Sequence, residues 1–322
     1  MRILVIGGAG YIGSHMVKML LEHGHAVVTL DNLVTGHRDA VLGGEFVLGD
    51  LANPNVLQRL FGAKLFDAVM HFASYIQVGE SIRDPGKYYR NNVTATQNLL
   101  DAMVAHQVNK LIFSSTAAVY GIPQYTPIDE AHPKLPINPY GRSKWMIEQM
   151  LEDYDRAYGL RSICLRYFNA AGADPAGQLG ERHVPETHLI PLVLQAAAGQ
   201  RENVQVFGRD YDTPDGTCIR DYVHVQDLCK AHLLALNRLM AGGNTEAYNL
   251  GSGNGFSVQH VIDTAQRLTG REIPVTQAAR REGDPAVLVA DSTLARRSLG
   301  WMPEFEDLES IVESAWQYQR KI

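Results

Sequence analysis

Tyr140 and Lys144 are the residues whose types and spacing most clearly suggest catalysis. They lie four residues apart at the start of a predicted helix, so both side chains project from one face. A tyrosine with a pKa of about 10 becomes a useful base at neutral pH only if the phenolate is preferentially stabilised by roughly 4 kcal/mol. One cation at ~4 Å in an effective dielectric near 20 supplies about that much. The spacing fits a proton-transfer pair, and it also fits an exposed pair on a helix start.

Two hydroxyl side chains follow a predicted strand and could assist this pair. The strand Lys110–Ser114 runs directly into Ser115 and Thr116. In a doubly wound sheet the catalytic groups gather at the carboxyl ends of the strands. A hydroxyl at this edge could share the substrate proton with Tyr140, while capping or turn formation is the alternative role.

The elements that must position these residues alternate along the first half of the chain. Short β-branched runs separated by amphipathic stretches predict parallel strands joined by right-handed crossovers, hence an α/β fold with a doubly wound parallel sheet. Longer polar loops after about Asn169 predict a smaller C-terminal α/β lobe. The predicted strands are Arg2–Ile6, Ala26–Asp31, Ala68–His71, Lys110–Ser114 and Ser162–Arg166. The predicted helices are Tyr11–Glu22, Asn53–Phe61, Pro85–His106, Tyr140–Tyr158, Leu189–Ala198, Val225–Met240, Val258–Thr269 and Leu308–Gln319.

A glycine-rich turn joins the first strand to the first helix. Gly7, Gly10 and Gly13 surround Tyr11 and Ile12, which open the helix. Without side chains at these glycines, backbone N–H groups can approach a pyrophosphate at the positive end of the helix. A tight structural turn also needs glycine, but the position between strand and helix favours a dinucleotide site.

An aspartate ends the next predicted strand. Asp31 follows Gly13 by eighteen residues, about where a carboxylate accepts hydrogen bonds from an adenosine ribose. The carboxylate would repel a 2′-phosphate, so NAD is predicted over NADP, and an ordinary turn at Asp31 and Asn32 is the alternative. The same reasoning places Asp50 and Leu51 near the adenine.

Composition excludes several classes of function. The 322 residues are 45 % hydrophobic, and the net charge of −6 predicts no attraction to nucleic acid or to an anionic membrane. Cys164, Cys218 and Cys229 match neither a zinc motif nor a disulfide framework, which favours reduced thiols and the cytoplasm. The apolar run at residues 3–6 is too short for a signal-peptide core or a membrane span.

No metal site is predicted from the spacing of possible ligands. Asp210, Asp212 and Asp215 lie close together, but the segment lacks the distal glutamate of a calcium loop. His183 and His188 lie in a loop without the close spacing of a zinc site. A polar surface or a substrate contact is predicted for these histidines.

The ordered motifs resemble the extended short-chain dehydrogenase/reductase superfamily and, within it, the UDP-glucose 4-epimerases. The resemblance runs across nearly the whole chain. The matching segments are Gly7–Gly13, Asp31–Asn32, Gly49–Leu51, His71–Ala73, Val78–Ser81, Tyr88–Asn92, Ser114–Gly121, Tyr140–Lys144, Arg166–Asn169, Gly216–Val225 and Arg281–Asp284.

That resemblance implies reversible C4 epimerisation of a UDP-hexose, UDP-galactose to UDP-glucose, by transient hydride transfer to tightly bound NAD through a 4-keto intermediate. Tyr140 would take the proton from the sugar 4-hydroxyl, Lys144 would hold the cofactor ribose and tune the phenol, and Thr116 would assist. The further NAD contacts it implies are Phe72, Ala73, Asn91, Ser114, Tyr167 and Phe168. The UDP-sugar contacts it implies are Asn169, His188, Leu189, Gln205, Phe207, Arg220, Arg281, Asp284 and Leu288.

The resemblance also implies a division of the chain and an assembly. Residues 1–168 would form an NAD-binding Rossmann domain, which residues 219–241 rejoin, and residues 169–322 would form the UDP-sugar-binding lobe. The helices Pro85–His106 and Tyr140–Tyr158 would pair across a two-fold axis in a homodimer.

Two features bear on the alternatives. Leu288 matches a position where tyrosine or smaller residues are thought to gate access for an N-acetyl group, so 4-epimerisation of UDP-N-acetylhexosamines or of UDP-xylose/UDP-arabinose remains open. Two alanines follow Thr116, where sugar-nucleotide dehydratases carry an acidic pair, so dehydration is not favoured. A non-catalytic NAD-sensing regulator would need neither Tyr140 nor Lys144, and their presence favours an enzyme.

Overall fold

The computed structural model describes residues 1–281 and 283–322, which divide into two compact units. The predicted assignment of residue ranges to NAD and to the UDP-sugar stays a prediction. The first unit contains Met1–Gly121, Pro133–Arg166 and Cys229–Tyr248. The second unit contains Ile122–His132, Tyr167–Leu228 and Asn249–Ile322.

Strands and helices alternate along most of the chain. The strands are β1 (Arg2–Ile6), β2 (Ala26–Asp31), β3 (Glu45–Leu48), β4 (Ala68–His71), β5 (Lys110–Ser114), β6 (Arg161–Tyr167), β7 (Asn169–Ala171), β8 (Val204–Phe207), β9 (Ile219–His224), β10 (Glu246–Leu250), β11 (Gly255–Ser257), β12 (Val275–Ala278) and β13 (Val287–Leu288). The helices are α1 (Tyr11–Glu22), α2 (Pro54–Ala63), α3 (Val78–Arg83), α4 (Pro85–Tyr88), α5 (Ala95–Ala105), α6 (Pro139–Tyr158), α7 (Leu189–Ala197), α8 (Val225–Met240), α9 (Val258–Thr269), α10 (Thr293–Leu299) and α11 (Leu308–Gln319).

A seven-stranded sheet runs in the order β10-β6-β5-β4-β1-β2-β3. The pairs from β3 across to β6 are parallel, which confirms the predicted doubly wound α/β fold. Its central strands are apolar on both faces, as Leu4, Val5, Val69 and Ile112 show by their complete burial. The order reverses between β1 and β4, and ligands of such sheets bind at the carboxyl ends of the strands around this point.

Local sequence signals set most helix ends. The side chain of Asn53 accepts a hydrogen bond from the backbone N–H of Asn55 at the start of α2, and proline follows it at the first helical position. Ser257 and Asp307 cap α9 and α11 in the same manner. The predicted helix bounds at these sites are therefore confirmed to within two residues.

The predicted single helix Pro85–His106 is wrong in detail. The chain forms α4, a π-helical turn at Tyr89–Thr94, and then α5, which ends one residue earlier than predicted. In the π turn the Asn92 side chain is fully buried and hydrogen-bonds away from the helix. Such turns depend on tertiary contacts that a helical periodicity does not report.

In the second unit, β9 lies at the centre of a small sheet. It pairs with β11 antiparallel and with β7 and β13 parallel, while β8 pairs with β12. Helices α7, α9 and α11 bury an apolar core that includes Val193, Val261 and Ile311. Within the described residues, no helix combines the length and the apolar character that crossing a membrane requires.

Candidate active site

Helix α6 places Tyr140 in its first turn and Lys144 one turn later. Asn138 caps this helix, because its side-chain oxygen accepts a hydrogen bond of 2.8 Å from the backbone N–H of Gly141. Pro139 occupies the first helical position, where a missing N–H costs nothing. The helix start is therefore fixed by its own sequence, and the predicted one-face arrangement of the pair is present.

Lys144 is buried, with only 2 % of its side chain exposed. Its ammonium donates hydrogen bonds of 2.7 Å to the Ser74 hydroxyl and to the backbone carbonyl of Ser114, and it lies 4.8 Å from the ring centre of Phe113. Burial lowers the pKa of Lys144 to about 7, against the opposing charge of Glu148. The amine therefore sits in one position with a pKa near neutrality.

Tyr140 is half-buried, and its phenol hydrogen-bonds with the side chain of Thr116. Thr116 lies two residues after β5 and caps the short 3-10 turn Ala117–Val119, where its hydroxyl accepts a hydrogen bond of 3.1 Å from the backbone N–H of Ala118. Burial raises the pKa of Tyr140, and the hydrogen bond with Thr116 only partly opposes that rise. The direction of this pKa shift is therefore opposite to the lowering expected from Lys144, because desolvation of the phenolate is the largest influence.

A buried charge network lies beneath the pair and was not predicted from the sequence. Glu148, one turn after Lys144 on α6, receives hydrogen bonds from Arg166 Nε at 3.0 Å and Nη2 at 2.5 Å. Ser115 donates to the same carboxylate at 2.5 Å, and Arg166 donates to the Tyr120 hydroxyl at 2.9 Å. The network ties α6 to β5 and β6. The sequence signals are Glu148, one turn after Lys144 on the same face of α6, and Arg166, which follows the buried run at residues 162–165.

The π-helical turn supports α6 from a second side. Asn92 donates hydrogen bonds to the Ser143 hydroxyl at 3.0 Å and to the backbone carbonyl of Tyr75 at 3.1 Å. Ser143 in turn donates to the carbonyl of Tyr140. The neighbouring Asn91, predicted as an NAD contact, donates to the Asn92 side chain at 2.9 Å. The turn therefore holds the first turn of α6, where Tyr140 stands.

The glycine turn after β1 is closed too tightly for side chains. Gly7 has φ of 78°, and a Cβ at Gly13 would lie 2.1 Å from the Gly7 carbonyl oxygen. Gly10 caps α1 without a side-chain hydrogen bond, so the first N–H groups of the helix, at Tyr11 and Ile12, lie beside bare backbone. This arrangement fits a pyrophosphate at the positive helix end.

Asp31 stands at the end of β2 beside this turn. Its carboxylate accepts hydrogen bonds from the backbone N–H groups of Ala9 at 3.0 Å and Leu33 at 2.8 Å. Asn32 donates to Asp50 at 2.8 Å, so the loops after β2 and β3 are joined. A fixed anion at this position fits the ribose of NAD and disfavours a 2′-phosphate.

The loop after β4 approaches the glycine turn. The backbone N–H of Phe72 donates to the carbonyl of Ile6 at 2.8 Å, and a Cβ at Gly7 would lie 2.6 Å from the backbone nitrogen of Ala73. Leu51 is buried in the core beneath β3. Phe72, Ala73 and the glycine turn therefore meet at the point where the strand order reverses.

In the second unit, β9 brings three predicted UDP-sugar contacts together. Leu288 is the register partner of Arg220 across β13 and β9, and Asn169 is the partner of Tyr222 across β7 and β9. The Asn169 amide donates to the Asp221 carbonyl at 2.7 Å. Three distant stretches of sequence thus converge on one strand.

Arg220 and Arg281 are both held by contacts that orient a guanidinium. Arg220 pairs with Asp284 and donates to the Ile219 carbonyl at 2.7 Å. Arg281 lies over the ring of Phe207, 4.0 Å from its centre. A guanidinium held in one orientation suits the hydrogen bonding of a diphosphate.

The remaining predicted contacts lie on loops and edges. Gln205 is an exposed residue of β8, and Leu189, the first residue of α7, is half-buried. Tyr167 and Phe168 follow the buried part of β6 and are half-buried. Their roles as substrate or cofactor contacts stay predictions.

His188 lies directly before α7 among carboxylates. Its Nδ1 is 2.8 Å from Glu181 and 3.1 Å from Glu186. Burial would lower the pKa of His188, but the two carboxylates raise it to about 10. Sequence spacing gave no sign of this cluster, because its members lie in an irregular loop. The role of His188 as a substrate contact stays a prediction.

Comparison with known proteins gives the same picture. The model of the NAD dependent epimerase/dehydratase family matches residues 3–251. A UDP-glucose 4-epimerase of Halalkalibacterium halodurans is 52 % identical over 321 residues, covering 100 % of this chain and 96 % of that protein.

Solved structures agree over the same length. The UDP-glucose 4-epimerase from Brucella ovis in complex with NAD has a TM-score of 0.96 at 51 % identity, covering 98 % of this chain and 97 % of that one. The enzyme from Bifidobacterium longum in complex with NAD⁺ and UDP has a TM-score of 0.95 at 38 % identity, covering 100 % and 98 %. With the Rossmann-type sheet and the Tyr140–Lys144 pair in place, this chain belongs to the NAD dependent epimerase/dehydratase family and is an NAD-dependent enzyme.

Proposed function

We propose that the protein interconverts UDP-galactose and UDP-glucose by reversible oxidation and reduction at C4 of the sugar. The observation that carries the proposal is the contact between Tyr140 and Thr116, with buried Lys144 one turn away on the same helix. No acidic side chain follows Thr116, so the site offers one proton-transfer group for one hydroxyl.

Tyr140 is the general base and acid. Its phenol takes the proton of the 4-hydroxyl when C4 is oxidised, and returns it when C4 is reduced on either face. The Thr116 side chain already hydrogen-bonds with this phenol. The same hydroxyl can hydrogen-bond with the substrate 4-oxygen when the sugar is bound, which keeps that oxygen close to the phenol for proton transfer. Because burial raises the pKa of Tyr140, further positive charge must act on the phenol during turnover.

Three features of the first unit fit NAD. They are the glycine turn that has no room for a Cβ, the start of α1 without a side-chain cap, and Asp31 at the end of β2. NAD, when bound, accepts a hydride at its nicotinamide ring, returns it, and adds positive charge. Lys144 is rigidly held by Ser74 and Ser114, and its third N–H is available for the cofactor ribose.

The second unit supplies the residues that bind UDP. Asn169, Arg220 and Arg281 carry the polar groups that suit a nucleoside diphosphate, and Arg220 is braced by Asp284. Binding energy from this non-reacting part of the substrate can hold the molecule while the sugar turns over between its two faces. If the 4-keto sugar did not turn over, the hydride would return to the same face of C4 and regenerate the starting sugar.

Assembly and location follow as further proposals. We propose a homodimer in which α6 and the segment from α4 to α5 pair with the same elements of a second copy, because α6 carries an exposed apolar residue, Met146, on its outer part. We propose the cytoplasm as its location, because Cys164, Cys218 and Cys229 are buried thiols without a disulfide partner in the described chain.

The test is turnover without added cofactor. The purified protein should release NAD on denaturation and should convert UDP-galactose to UDP-glucose with no nucleotide supplied. A requirement for stoichiometric external NAD, with keto product accumulating, would instead identify a dehydrogenase.

A substrate panel tests the sugar. UDP-glucose/UDP-galactose, the corresponding N-acetyl pair and UDP-xylose/UDP-arabinose are compared by kcat/KM. Preference for the first pair supports the proposal. Preference for either other pair would assign the enzyme to that substrate, with Leu288 beside Arg220 as the first residue to exchange.

A further inference from the structure

Four side chains with metal-ligating atoms converge in the loop between β7 and α7. They are Glu181, His183, Glu186 and His188, and one ligand atom from each lies within 4.8 Å of all the others. All four come from one eight-residue span, in the order E-x-H-x-x-E-x-H. We propose that this His₂Glu₂ cluster binds one divalent transition metal ion, with Zn²⁺ as the best fit.

The imidazole and carboxylate atoms of the cluster are joined as His–Glu hydrogen bonds, at distances near those between the ligand atoms of one metal ion. Glu181 Oε1 lies 3.0 Å from His183 Nδ1 and 2.8 Å from His188 Nδ1. Glu186 lies 3.7 Å from His183 Nδ1 and 3.1 Å from His188 Nδ1. Zinc–nitrogen and zinc–oxygen bonds of about 2.0–2.2 Å in a tetrahedron separate ligand atoms by roughly 3.4 Å. The observed separations lie on both sides of that value.

The carboxylates are held in place by the surrounding chain. Glu186 Oε1 accepts hydrogen bonds from the backbone N–H groups of Thr187 at 2.7 Å and His188 at 2.9 Å. The Glu181 and Glu186 side chains are only 7 % and 5 % exposed, whereas the His188 side chain is 39 % exposed. The two histidines compensate these buried carboxylates in the chain alone, and one divalent ion between neutral histidines would supply the same two positive charges.

The ligand types select the ion. Imidazole nitrogens suit zinc, copper, iron and nickel, while calcium and magnesium prefer oxygen ligands throughout. Four protein ligands around one ion are typical of a structural site, which keeps no open position for a substrate. The ion would fix this irregular loop and the start of α7, where His188 precedes Leu189. It would have no part in proton or hydride transfer.

The test is zinc binding by the intact chain with its nucleotide. Chelator-treated protein is titrated with Zn²⁺ in competition with a chromophoric chelator. We expect one tight site per chain, with affinity at least about 100-fold weaker in Glu181→Gln and in His183→Gln, since loss of even a supporting residue costs 10- to 100-fold. His106→Gln, which changes a half-buried histidine outside the cluster, should bind as the unchanged protein does.

A second measurement keeps the proposal testable if a variant does not fold. Co²⁺ added to the unchanged protein should give the intense visible absorption of a four-coordinate ion with nitrogen and oxygen ligands. A weak six-coordinate spectrum, substoichiometric Zn²⁺ binding, or unaltered Zn²⁺ affinity in both folded variants would each overturn it.

Discussion

The candidate catalytic segment of the first unit and the candidate UDP segment of the second are built in different ways. Tyr140 and Lys144 stand on a 20-residue helix that Glu148, Arg166 and Asn92 tie to its neighbours through buried hydrogen bonds. In the second unit three of the predicted contacts, Asn169, Arg220 and Leu288, come from β7, β9 and β13, strands of three, six and two residues. The first region positions its groups by burial and charge, and the second by strand register.

This difference matches the demands that the proposed reaction makes on each region. Proton transfer needs donor and acceptor within a narrow range of positions, so the groups that perform it sit on rigid, densely bonded elements. Recognition of a diphosphate tolerates larger changes in side-chain position, because several hydrogen bonds contribute to the binding energy. Substitutions in the first region should therefore change turnover or stability, and those in the second should chiefly change substrate affinity.

Tyr140→Phe should have the largest effect. Removing the phenol oxygen removes the general base, so kcat should fall by about 10²- to 10⁴-fold. NAD content after purification should be unchanged, because the cofactor contacts predicted for the glycine turn and Asp31 remain. Steady-state kinetics and NAD release on denaturation measure the two quantities.

Tyr158→Phe is the matched control, since it removes the same atom from an exposed tyrosine at the other end of α6. It should leave kcat within experimental error. An unaltered rate in Tyr140→Phe would contradict the role of Tyr140 as base.

Glu148→Gln tests the buried network that distinguishes the first region. The substitution leaves the Arg166 guanidinium without its carboxylate at a position only 4 % exposed. Breaking a buried ion pair costs about 3–5 kcal/mol, so urea denaturation should show a loss of that order in the free energy of unfolding.

Glu152→Gln provides the comparison one helical turn further on. Its partner Arg156 is 75 % exposed, so the free energy of unfolding should change by less than about 1 kcal/mol. Equal losses in the two variants would show that the network under Lys144 is no more important than a surface pair.

Arg220→Lys tests the second region. Lysine keeps the charge but not the fork that contacts Asp284, and a charged hydrogen bond contributes about 1.5–3 kcal/mol. KM for the UDP-sugar should therefore rise roughly 10- to 100-fold, with a smaller change in kcat. Arg280→Lys, in an exposed pair with Asp210, is the control and should change neither. A fall in kcat with unaltered KM would place Arg220 in the chemical step instead.

Regular elements with strong local signals were predictable from the sequence. The predicted bounds of β1, β2 and α1 agree with the structure residue by residue. The apolar runs of the two strands end at Gly7 and Asp31, and α1 begins directly after Gly10. The strands β8 and β13 were not predicted, since four and two residues carry too little alternation to stand out from a loop.

Tertiary features were beyond the reach of pattern analysis. The π turn at Tyr89–Thr94 exists because Asn92 bonds to Ser143 across a sequence separation of 51 residues. The cluster of Glu181 and His183 with its two partners follows no standard ligand spacing, and only the folded loop brings it together. The candidate pair Tyr140 and Lys144 was easier to find in the sequence, because both residues stand on one helix that the sequence specifies locally.

Lys144 gives the most direct test of how burial acts in the first region. In the folded chain its pKa is about 7, whereas in the unfolded chain it is about 10.4. Between these pH values the unfolded chain binds more protons at this residue, so its contribution to the free energy of unfolding rises with pH, by up to about 1.4 kcal/mol per pH unit. Below about pH 7 both states are protonated and the slope disappears.

The measurement compares nucleotide-free protein with Lys144→Met across this range. The free energy of unfolding of the unchanged protein minus that of the variant should increase from about pH 7 to pH 9. Groups outside the site titrate in both proteins and cancel in this difference. A difference that stayed level would mean that Ser74 and Ser114 hold the ammonium well enough to offset its burial, and that Lys144 remains charged throughout.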